Sequence, residues 1–288
     1  MPFILDNVTF TYQKGMVFAR EAIKGLNLTI NNGETLGVMG ATGSGKSTLL
    51  QLLIALLKPE QGRIFYNGRN LAQLKRKELA ALRQEVGMVL QYPEQQIFAD
   101  QVYEEIAFGP RNMKLNSQEV DQRVKKAMGQ IGLDFTRYRE RRTIDLSSGE
   151  KRRVALASIL ALKPRYLLLD EPTADLDMEG RKAILGYLKD LNQQDNVTIV
   201  MVTHQLSHLI PICQRLVVLD EGRLVMDIPI GKILECYDSL RQLGIELPAH
   251  LEAASRLQQR GFNFSGEDLS IAGIARQIAQ QLGVEFNV

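Results

Sequence analysis

Cysteine is scarce in this sequence: only Cys213 and Cys236 occur among its 288 residues. Two cysteines cannot form the disulfide framework that stabilises small secreted domains. Both lie in apolar surroundings, so we expect buried thiols in a reducing cytoplasm. Hydrophobic residues make up 45% of the chain, which is enough for a full core and for more than one domain.

An excess of charge of one sign is missing as well. The chain carries 35 basic and 33 acidic residues, which gives a formal net charge of +2. Proteins that bind nucleic acid through its phosphates usually present a strongly basic face. This balance therefore argues against a nucleic-acid partner.

Long hydrophobic runs are also absent. The most apolar helical stretch, LLQLLIALL at Leu49–Leu57, falls well short of the roughly 18 residues that a membrane-spanning helix needs. The opening MPFILDNVTFTYQ has neither the basic start nor the apolar region of a secretory signal. We therefore expect any membrane role to be peripheral.

The pattern of apolar residues changes near residue 35. Before this point, alternation in FILDNVTFTY and LNLTI predicts antiparallel strands. Beyond it, continuous apolar strands alternate with helical segments, which is typical of a parallel sheet covered by helices. The predicted buried strands are TLGVMG, VGMVLQ, RYLLLDEP, VTIVMVTH and RLVVLDEG.

A strand-poor segment, Tyr92 to Lys163, interrupts this alternation and predicts an inserted helical subdomain. One of its helices is expected to start at Asn116, with Glu119 completing a capping box. Its apolar face would consist of Val120, Val124, Ala127 and Ile131.

The strong motifs end near Leu224. Two later stretches, LPAHLEAASRLQQRG and IAGIARQIAQQLGV, predict amphipathic helices in a small carboxyl-terminal appendage.

The stretch GATGSGKST lies between a buried strand and a helix, as a phosphate-binding P-loop requires. Its glycines let backbone N–H groups turn toward phosphate oxygens, and the helix N-terminus adds partial positive charge. Lys46 is expected to reach the β- and γ-phosphates, and the Ser47 hydroxyl to bind Mg²⁺. The alternative is an ordinary glycine-rich turn. The predicted ATP-binding residues here are Gly40, Ala41, Thr42, Gly43, Ser44, Gly45, Lys46, Ser47 and Thr48.

The stretch YLLLDEP places two carboxylates at the end of a buried strand. Ligands of α/β proteins bind at the carboxyl ends of parallel strands. Asp170 is expected to hold Mg²⁺ through a water, and Glu171 to polarise the attacking water. Phosphoryl transfer depends mainly on positioning and charge neutralisation, which such a carboxylate pair can supply.

Two further polar residues end buried strands. His204 follows VTIVMVT and is expected to approach a γ-phosphate at the same sheet edge. Gln91 follows VGMVL, and its amide could contact Mg²⁺ or the attacking water. His208 and His250 are interpreted as structural histidines.

Taken in order, the P-loop, the strand-end glutamine, LSSGE, LLLDEP, TADLD and the strand-end histidine resemble the nucleotide-binding subunit of an ATP-binding cassette (ABC) transporter. The resemblance covers roughly residues 3–225. Within it, QYPEQQIFADQVYEEIAFGP is similar to the ATPases of energy-coupling factor transporters, the cobalt/nickel or vitamin type. The opening YQKGMVFAREAIKGLNL resembles the second ATPase of paired systems.

The resemblance implies an α/β fold, the P-loop NTPase fold of ABC ATPases. It combines an antiparallel β subdomain, a parallel-sheet core, an inserted helical subdomain (about 92–163) and a helical carboxyl-terminal extension. We expect a nucleotide-binding domain over 1–225 and an extension over 226–288 that mediates dimerisation.

The resemblance also assigns roles to single residues. Tyr12 matches the aromatic that stacks on adenine, with a cross-strand aromatic pair as the alternative, and Gln91 and His204 match the catalytic Q-loop and switch residues. In this family the signature of one subunit faces the P-loop of another, so two ATP molecules lie in a head-to-tail dimer. The residues expected to contact ATP in trans are Ser147, Ser148, Gly149 and Asp177.

The signature departs from the usual LSGGQ, because Ser148 replaces a glycine and Glu150 replaces the glutamine. A serine there is tolerable if its φ is negative, and Glu150 brings negative charge close to a triphosphate. We expect a modest weakening, which favours a non-identical ATPase as partner while leaving a homodimer open.

The segment after Gln91 is expected to receive a short, partly basic helix of a membrane protein, unless it is an ordinary solvated helix start. Its acidic residues are Glu94, Asp100, Glu104 and Glu105, and its apolar anchors are Ile97, Phe98, Val102 and Tyr103. The basic run RYRERR (Arg137–Arg142) is interpreted as a solvated face.

The function implied is that of an ATP-hydrolysing subunit that uses ATP and Mg²⁺ to power uptake of a vitamin or transition-metal ion. Its partners would be a second ATPase, a transmembrane coupling subunit and a membrane substrate-binding subunit, at the cytoplasmic face of the membrane. The alternatives are another ABC importer or exporter, a soluble ABC protein or a P-loop kinase.

Overall fold

The structure is a computed structural model that describes residues 2–174 and 176–284. Its described strands are β1 (Phe3–Tyr12), β2 (Arg20–Ile30), β3 (Thr35–Met39), β4 (Gln61–Tyr66), β5 (Arg69–Asn70), β6 (Val86–Val89), β7 (Tyr166–Asp170), β8 (Thr198–Val202), β9 (Arg215–Asp220) and β10 (Arg223–Pro229).

The described α-helices are α1 (Lys46–Leu53), α2 (Arg76–Glu85), α3 (Val102–Asn112), α4 (Ser117–Gln130), α5 (Phe135–Tyr138), α6 (Ser148–Leu160), α7 (Met178–Asp195), α8 (Leu206–Leu209), α9 (Tyr237–Gln242), α10 (Ala249–Gln258) and α11 (Ile271–Leu282).

Two sheets divide the described chain. An antiparallel sheet has the order β2-β1-β4-β5, and a six-stranded sheet has the order β10-β9-β3-β8-β7-β6. In the second sheet the neighbours from β9 to β6 run parallel, and only β10 pairs antiparallel with β9. The predicted fold class is confirmed.

The central strands of the parallel sheet are buried along their whole length. Every residue of β3, β7 and β8 is buried, because helices cover both faces of the sheet. This explains why these strands appear in the sequence as continuous apolar runs. Strand β6 ends at Val89, so Gln91 lies in the bend that follows and not in the strand as predicted.

Helices α3 to α6 lie between β6 and β7 and form the inserted helical segment. Helix α4 starts at the predicted place, with the Asn116 side chain accepting a hydrogen bond from the Glu119 N–H at 2.9 Å, but Glu119 does not complete the expected capping box. The Glu119 carboxylate pairs with Arg123. The expected apolar face, Val120, Val124, Ala127 and Ile131, is buried.

Several elements had no counterpart in the sequence predictions. Strand β4 begins with three exposed residues, β5 has only two residues, and β10 alternates between exposed and half-buried residues. Strand β10 crosses the boundary expected after residue 225, and the division of the chain into two domains stays a prediction.

The two carboxyl-terminal helices predicted from the sequence are α10 and α11. Their buried residues, among them Leu251, Ala254 and Ile274, belong to the same apolar cluster as Leu167 and Ile199 of the parallel sheet. The extension therefore packs onto the core. Across residues 2–174 and 176–284, no helix combines the length and apolarity needed to cross a bilayer.

Candidate nucleotide-hydrolysis site

The predicted site residues follow the carboxyl ends of neighbouring parallel strands. Strand β3 leads into the P-loop, β7 ends at Asp170, and β8 leads to Thr203 and His204. The register pairs Asp170 with Val202 and Val38 with Val202. Residues that are far apart in the sequence thus meet at one sheet edge. We call Lys46, Asp170, Glu171 and His204 the catalytic edge.

The P-loop needs glycine where it passes other backbone. Gly45 has φ 105°, and a Cβ there would lie 2.5 Å from the carbonyl oxygen of Ala22. At Gly40 a Cβ would lie 2.0 Å from the carbonyl oxygen of Leu219. Both positions exclude a side chain. Because Gly45 is the N-cap of α1, the helix begins directly at Lys46.

The Lys46 ammonium group is folded back onto its own loop. It donates hydrogen bonds to the carbonyl oxygens of Gly40 at 2.7 Å and Ala41 at 2.8 Å. Burial lowers the pKa of Lys46, while the carboxylates of Glu171 and Asp170 act in the opposite direction. The P-loop lysine therefore interacts with both the predicted general base, Glu171, and the predicted magnesium ligand, Asp170.

The donor set of Ser47 and Asp170 fits a magnesium ion. The Ser47 hydroxyl hydrogen-bonds to Asp170, which opposes the rise in the pKa of Asp170 that burial causes. Hydroxyl and carboxylate oxygens are the ligands Mg²⁺ prefers. Gln91, the third predicted ligand, is exposed beyond β6. Within the described residues no group of three or more His, Cys, Asp or Glu side chains could hold a metal by itself.

Glu171 adopts a strained backbone conformation, with φ 49°. Its carboxylate accepts hydrogen bonds from the Thr203 hydroxyl at 2.9 Å, the His204 backbone N–H at 2.9 Å and His204 Nδ1 at 2.8 Å. The side chain is thereby fixed at the sheet edge. Thr203 had no predicted role, and its place between VTIVMV and His204 is the only signal the sequence offers.

The histidines differ in environment. The His204 side chain is 65% exposed, although Nδ1 is fixed to Glu171. His208 is buried, and its Nδ1 lies 2.9 Å from the Thr173 hydroxyl. Burial, followed by the charge of Arg181, lowers the pKa of His208 to about 4. These contacts agree with the structural role predicted for His208. His250 Nε2 lies 3.0 Å from the Leu269 carbonyl oxygen, which agrees with a structural role for His250 too.

Tyr12 lies beside the P-loop. Its hydroxyl is 3.2 Å from the Thr48 hydroxyl, and its ring meets Phe10 edge-on at 4.9 Å. Phe10 and Tyr12 both belong to β1, so this contact is not the cross-strand pair given as the alternative, and the adenine contact stays a prediction. Arg20, which the sequence did not single out, donates to the Gly43 carbonyl oxygen at 3.1 Å.

The remaining P-loop residues divide into an exposed rim and a buried base. Ala41 and Thr42 are exposed. Ser44 and Thr48 are buried, and the Ser44 hydroxyl has no hydrogen-bond partner in the part of the chain described. The rim is thus open to a ligand.

The groove beside the P-loop has a volume of about 140 Å³ and is lined by Tyr12, Arg20, Lys46 and neighbouring P-loop residues. Small-molecule sites usually enclose about 300–1,000 Å³. A larger cavity of about 440 Å³ lies at the opposite ends of β7 and β8 and contains no predicted site residue. The nucleotide groove therefore offers only part of an enclosure.

The signature turn, Ser147–Glu150, opens helix α6. Ser147 is the N-cap, and it forms a reciprocal capping box with Glu150. Ser148 is the first helical residue, so its φ is negative and the serine that replaces glycine adds no backbone strain. Ser147 and Ser148 are exposed. Among the described residues, no hydrogen bond joins the signature turn to the P-loop.

Asp177 is the N-cap of α7, and its carboxylate accepts a hydrogen bond from the Gly180 N–H at 2.8 Å. The side chain is exposed. Its predicted contact with ATP in trans therefore remains sterically accessible.

The expected acidic surface after Gln91 is largely engaged within the chain. Glu105 is buried and accepts the N–H groups of Phe98 at 3.1 Å and Ala99 at 2.9 Å. Glu104 pairs with Arg111. These two residues therefore add less to the expected acidic character than the sequence indicated, because local N–H groups bind one carboxylate and an arginine pairs with the other. Val102 is fully buried and cannot be a surface anchor.

An aromatic pair is exposed in this segment instead. Phe98 is 64% and Phe108 49% exposed, with their rings edge-on at 4.8 Å. Phe108 was not among the predicted anchors, because it follows Phe98 by ten positions and lies in another element. The pair forms the apolar surface of this region.

Arg152 connects the signature helix to the catalytic edge. It is buried, donates to the Ala174 carbonyl oxygen, and lies 3.6 Å from the Glu94 carboxylate. Ala174 follows Glu171 closely in the chain, and Glu94 follows Gln91. Sequence reasoning missed this residue because one arginine in KRRVALA resembles the next.

Comparison with known proteins gives one family. Residues 23–174 match the model described as ABC transporter. The chain is 38% identical, over 96% of each chain, to the energy-coupling factor transporter ATP-binding protein EcfA2 of Clostridium tetani. It is 36% identical, over the whole of each chain, to the protein of that name in Caldanaerobacter subterraneus.

Solved structures lead to the same family. CbiO1 of Clostridium perfringens, part of the ABC transporter complex CbiONQ, matches with a TM-score of 0.75 and 32% identity over 89% of this chain and 98% of its own. The ATP-binding cassette MJ0796, a dimer bound to ADP and Pi after hydrolysis, matches with a TM-score of 0.71 and 30% identity over 79% of this chain and 98% of its own.

Proposed function

The chain belongs to the ABC transporter ATP-binding proteins of the energy-coupling factor type, and from this premise we propose how it binds and hydrolyses ATP. It is an ABC-type ATPase and the ATP-binding subunit of such a transporter. The observation that carries the proposal is the catalytic edge, where Lys46, Glu171 and His204 lie together beside a P-loop.

The first half of the site comes from the chain's own P-loop. Lys46 would exchange its bonds to the loop carbonyls for the β- and γ-phosphates of ATP, and the N-terminus of α1 would face the same oxygens. Tyr12 would stack on the adenine. Arg20, at the rim of the groove, adds a positive charge next to Gly43.

Ser47 and Asp170 would hold a magnesium ion, with Gln91 reaching it from the neighbouring bend. When bound, the ion supplies neutralisation of the charge on the phosphates. Glu171 would accept a proton from the attacking water. Its carboxylate already bonds to Thr203 and His204, but carboxylate oxygens have lone pairs left for a water molecule. His204 keeps the carboxylate oriented.

The second half of the site would come from another subunit. The small groove beside the P-loop cannot enclose a nucleotide, whereas Ser147, Ser148 and Asp177 are exposed and free to contact one. We propose that the signature turn contacts the γ-phosphate of ATP held by a second ATPase, in a head-to-tail dimer to which the extension over 226–288 contributes.

The membrane partners would dock on the aromatic pair. We propose that Phe98 and Phe108 receive a helix of a transmembrane coupling subunit at the cytoplasmic face of the membrane. A substrate-binding membrane subunit would then select the vitamin or transition-metal ion taken up. The exposed rings are a surface of the kind that protein partners bury.

Co-expression with the neighbouring genes, followed by mass measurement of the intact complex, tests the assembly. We expect two different ATPases together with membrane proteins. A complex with one ATPase species would refute the heterodimer. Phe98→Ala with Phe108→Ala should abolish membrane association, whereas Phe18→Ala, an exposed phenylalanine elsewhere, should leave it intact.

Ser147→Arg tests action in trans. We expect the ATPase rate of the complex to fall by about 10²-fold, because a bulky cation replaces a phosphate donor. Ser117→Arg is the matched control, since Ser117 is an exposed serine at the start of α4. An unchanged rate with Ser147→Arg would show that this signature does not act on ATP.

A further inference from the structure

The signature turn of this chain contains a carboxylate that is bound on all sides. Glu150 Oε2 accepts hydrogen bonds from the Ser147 N–H at 2.8 Å and the Ser147 hydroxyl at 3.0 Å. Glu150 Oε1 accepts from the Tyr138 hydroxyl at 2.7 Å and from Arg141 Nη1 at 3.1 Å. The two oxygens thus face different groups: one the helix cap, the other the basic segment.

Tyr138 and Arg141 are themselves fixed. Tyr138 is buried, and the Arg141 guanidinium lies over its ring, 5.0 Å from the centroid. Arg141 also donates to the Asp145 carbonyl oxygen at 3.4 Å. We call Tyr138, Arg141 and Glu150 the Glu150 clamp. Within the run RYRERR, Arg141 alone of the described arginines forms an ion pair with Glu150, whereas Arg139 pairs with Glu140.

The clamp keeps Glu150 ionised. Burial would raise the pKa of Glu150, but the hydrogen bonds from Tyr138 and Ser147 and the charge of Arg141 together lower it to about 2. A carboxylate near a γ-phosphate repels it unless a cation compensates the charge. The Glu150 side chain is 16% exposed and that of Arg141 33%, so water screens this pair only partly.

The Ser147 hydroxyl has a single proton, and in this structure it donates it to Glu150. A phosphate oxygen can only accept, so this proton must turn from Glu150 to the phosphate when ATP is contacted. Glu150 would then keep the Ser147 N–H, Tyr138 and Arg141 as partners. The Ser147 hydroxyl can therefore turn away from Glu150 while the bond from the Ser147 N–H to Glu150 keeps the helix capped.

We propose that Tyr138 and Arg141 are positioning residues that compensate the charge of Glu150 and so allow this signature turn to accept the γ-phosphate of ATP in trans. This inference rests on the proposed function of the signature. It also explains how this signature can carry a glutamate at position 150, where the usual LSGGQ signature has a glutamine. The run RYRERR is thus not a solvated face throughout.

A double-mutant cycle in the assembled complex tests the proposal. Arg141→Met should raise the KM for ATP and lower kcat/KM by about tenfold, the size expected for directly coupled residues. Glu150→Gln alone removes the charge that Arg141 compensates, and its kcat/KM is the reference for the cycle. In the double variant Arg141→Met with Glu150→Gln, kcat/KM should lie within about twofold of that of Glu150→Gln alone, because no charge is left to compensate.

Tyr138→Phe provides a milder second variant, since it removes one hydrogen bond and keeps the ring. We expect a loss of about threefold, again reversed by Glu150→Gln. Arg142→Met is the matched control: it removes the same charge from the same segment, and Arg142 is exposed. Thermal unfolding of each variant identifies a loss that comes from the fold.

Equal impairment of Arg141→Met with and without Glu150→Gln would overturn the proposal, because the arginine would then act on structure alone. An Arg141→Met complex with wild-type kinetics would overturn it as well. Failure of the proposed function is a separate result: the wild-type complex would hydrolyse ATP at a rate that Ser147→Arg leaves unchanged.

Discussion

The catalytic edge and the signature turn meet the same chemical demand, contact with a triphosphate, in different ways. The catalytic edge assembles from three stretches far apart in the sequence, and a buried parallel sheet sets their positions. The signature turn is contiguous. It is fixed by its own helix cap and by Tyr138 and Arg141, which lie 12 and 9 residues from Glu150. Backbone packing determines the first region, and side-chain charge determines the second.

Glu171→Gln should break the catalytic edge alone, and with the largest effect. Turnover at the ATP bound to this chain's P-loop should fall by about 10²–10⁴-fold, because the general base is lost, while ATP binding persists. Phosphate release and equilibrium binding measure the two quantities. In a homodimer all turnover would disappear, whereas a heterodimer would retain the share of its partner.

The matched control for this variant is Glu221→Gln. Glu221 directly follows β9 in the similar stretch VVLDEG and also has a positive φ, 44°, but it is exposed and forms no hydrogen bond or ion pair with His204 among the described residues. A normal rate with Glu171→Gln, or an equal loss with Glu221→Gln, would contradict the assignment.

The comparison explains what could be predicted from the sequence. Strand-end residues such as Asp170 and His204 were predictable, because a buried strand is a continuous apolar run and its end is visible. The contacts of Arg141 and Arg152 were not. Each depends on which face of a helix turns toward a distant element, and nearby arginines in RYRERR and KRRVALA look alike.

The segment after Gln91 shows a prediction that the structure did not bear out in full. Its carboxylates suggested a charged docking surface, but Glu105 caps backbone N–H groups and Glu104 pairs with Arg111. Charge in a sequence does not reveal whether a local partner satisfies it. The exposed Phe98–Phe108 pair depends on tertiary packing in the same way.

Arg152→Met tests the connection between the two regions. Because Arg152 is buried between Glu94 and Ala174, its removal leaves a carboxylate and a carbonyl without their partner. We expect the free energy of unfolding to fall by about 3 kcal/mol, measured by urea denaturation. Arg153→Met, which removes an exposed contact with Gly132, should cost less than about 0.5 kcal/mol. Equal losses in the two variants would show that the buried contacts of Arg152 add no more stability than the exposed contact of Arg153.

His208 lies beneath the catalytic edge, and its protonation should make the stability of the folded chain depend on pH. Its pKa is about 4 in the folded chain and about 6.5 when unfolded, so below pH 6.5 the unfolded state binds more protons. Stability should therefore fall from pH 6.5 to pH 4, by about 2–3 kcal/mol from this group. His208→Gln should show a smaller fall over this window in thermal or urea unfolding. A fall equal to that of wild type would assign the effect to other groups.

Substitution of Tyr12 should have the smallest effect of the changes considered. It distinguishes the proposed contact of the ring with adenine from the contact of the hydroxyl with Thr48 beside the P-loop. Tyr12→Ala should weaken ATP binding by about tenfold, through loss of the stacking ring. Tyr12→Phe keeps the ring but loses the bond to Thr48, and should stay within about twofold of wild type. Inorganic triphosphate, which has no base, makes the test decisive. If Tyr12→Ala weakens triphosphate binding as much as ATP binding, Tyr12 acts by supporting Thr48 and the P-loop, and the adenine contact is wrong.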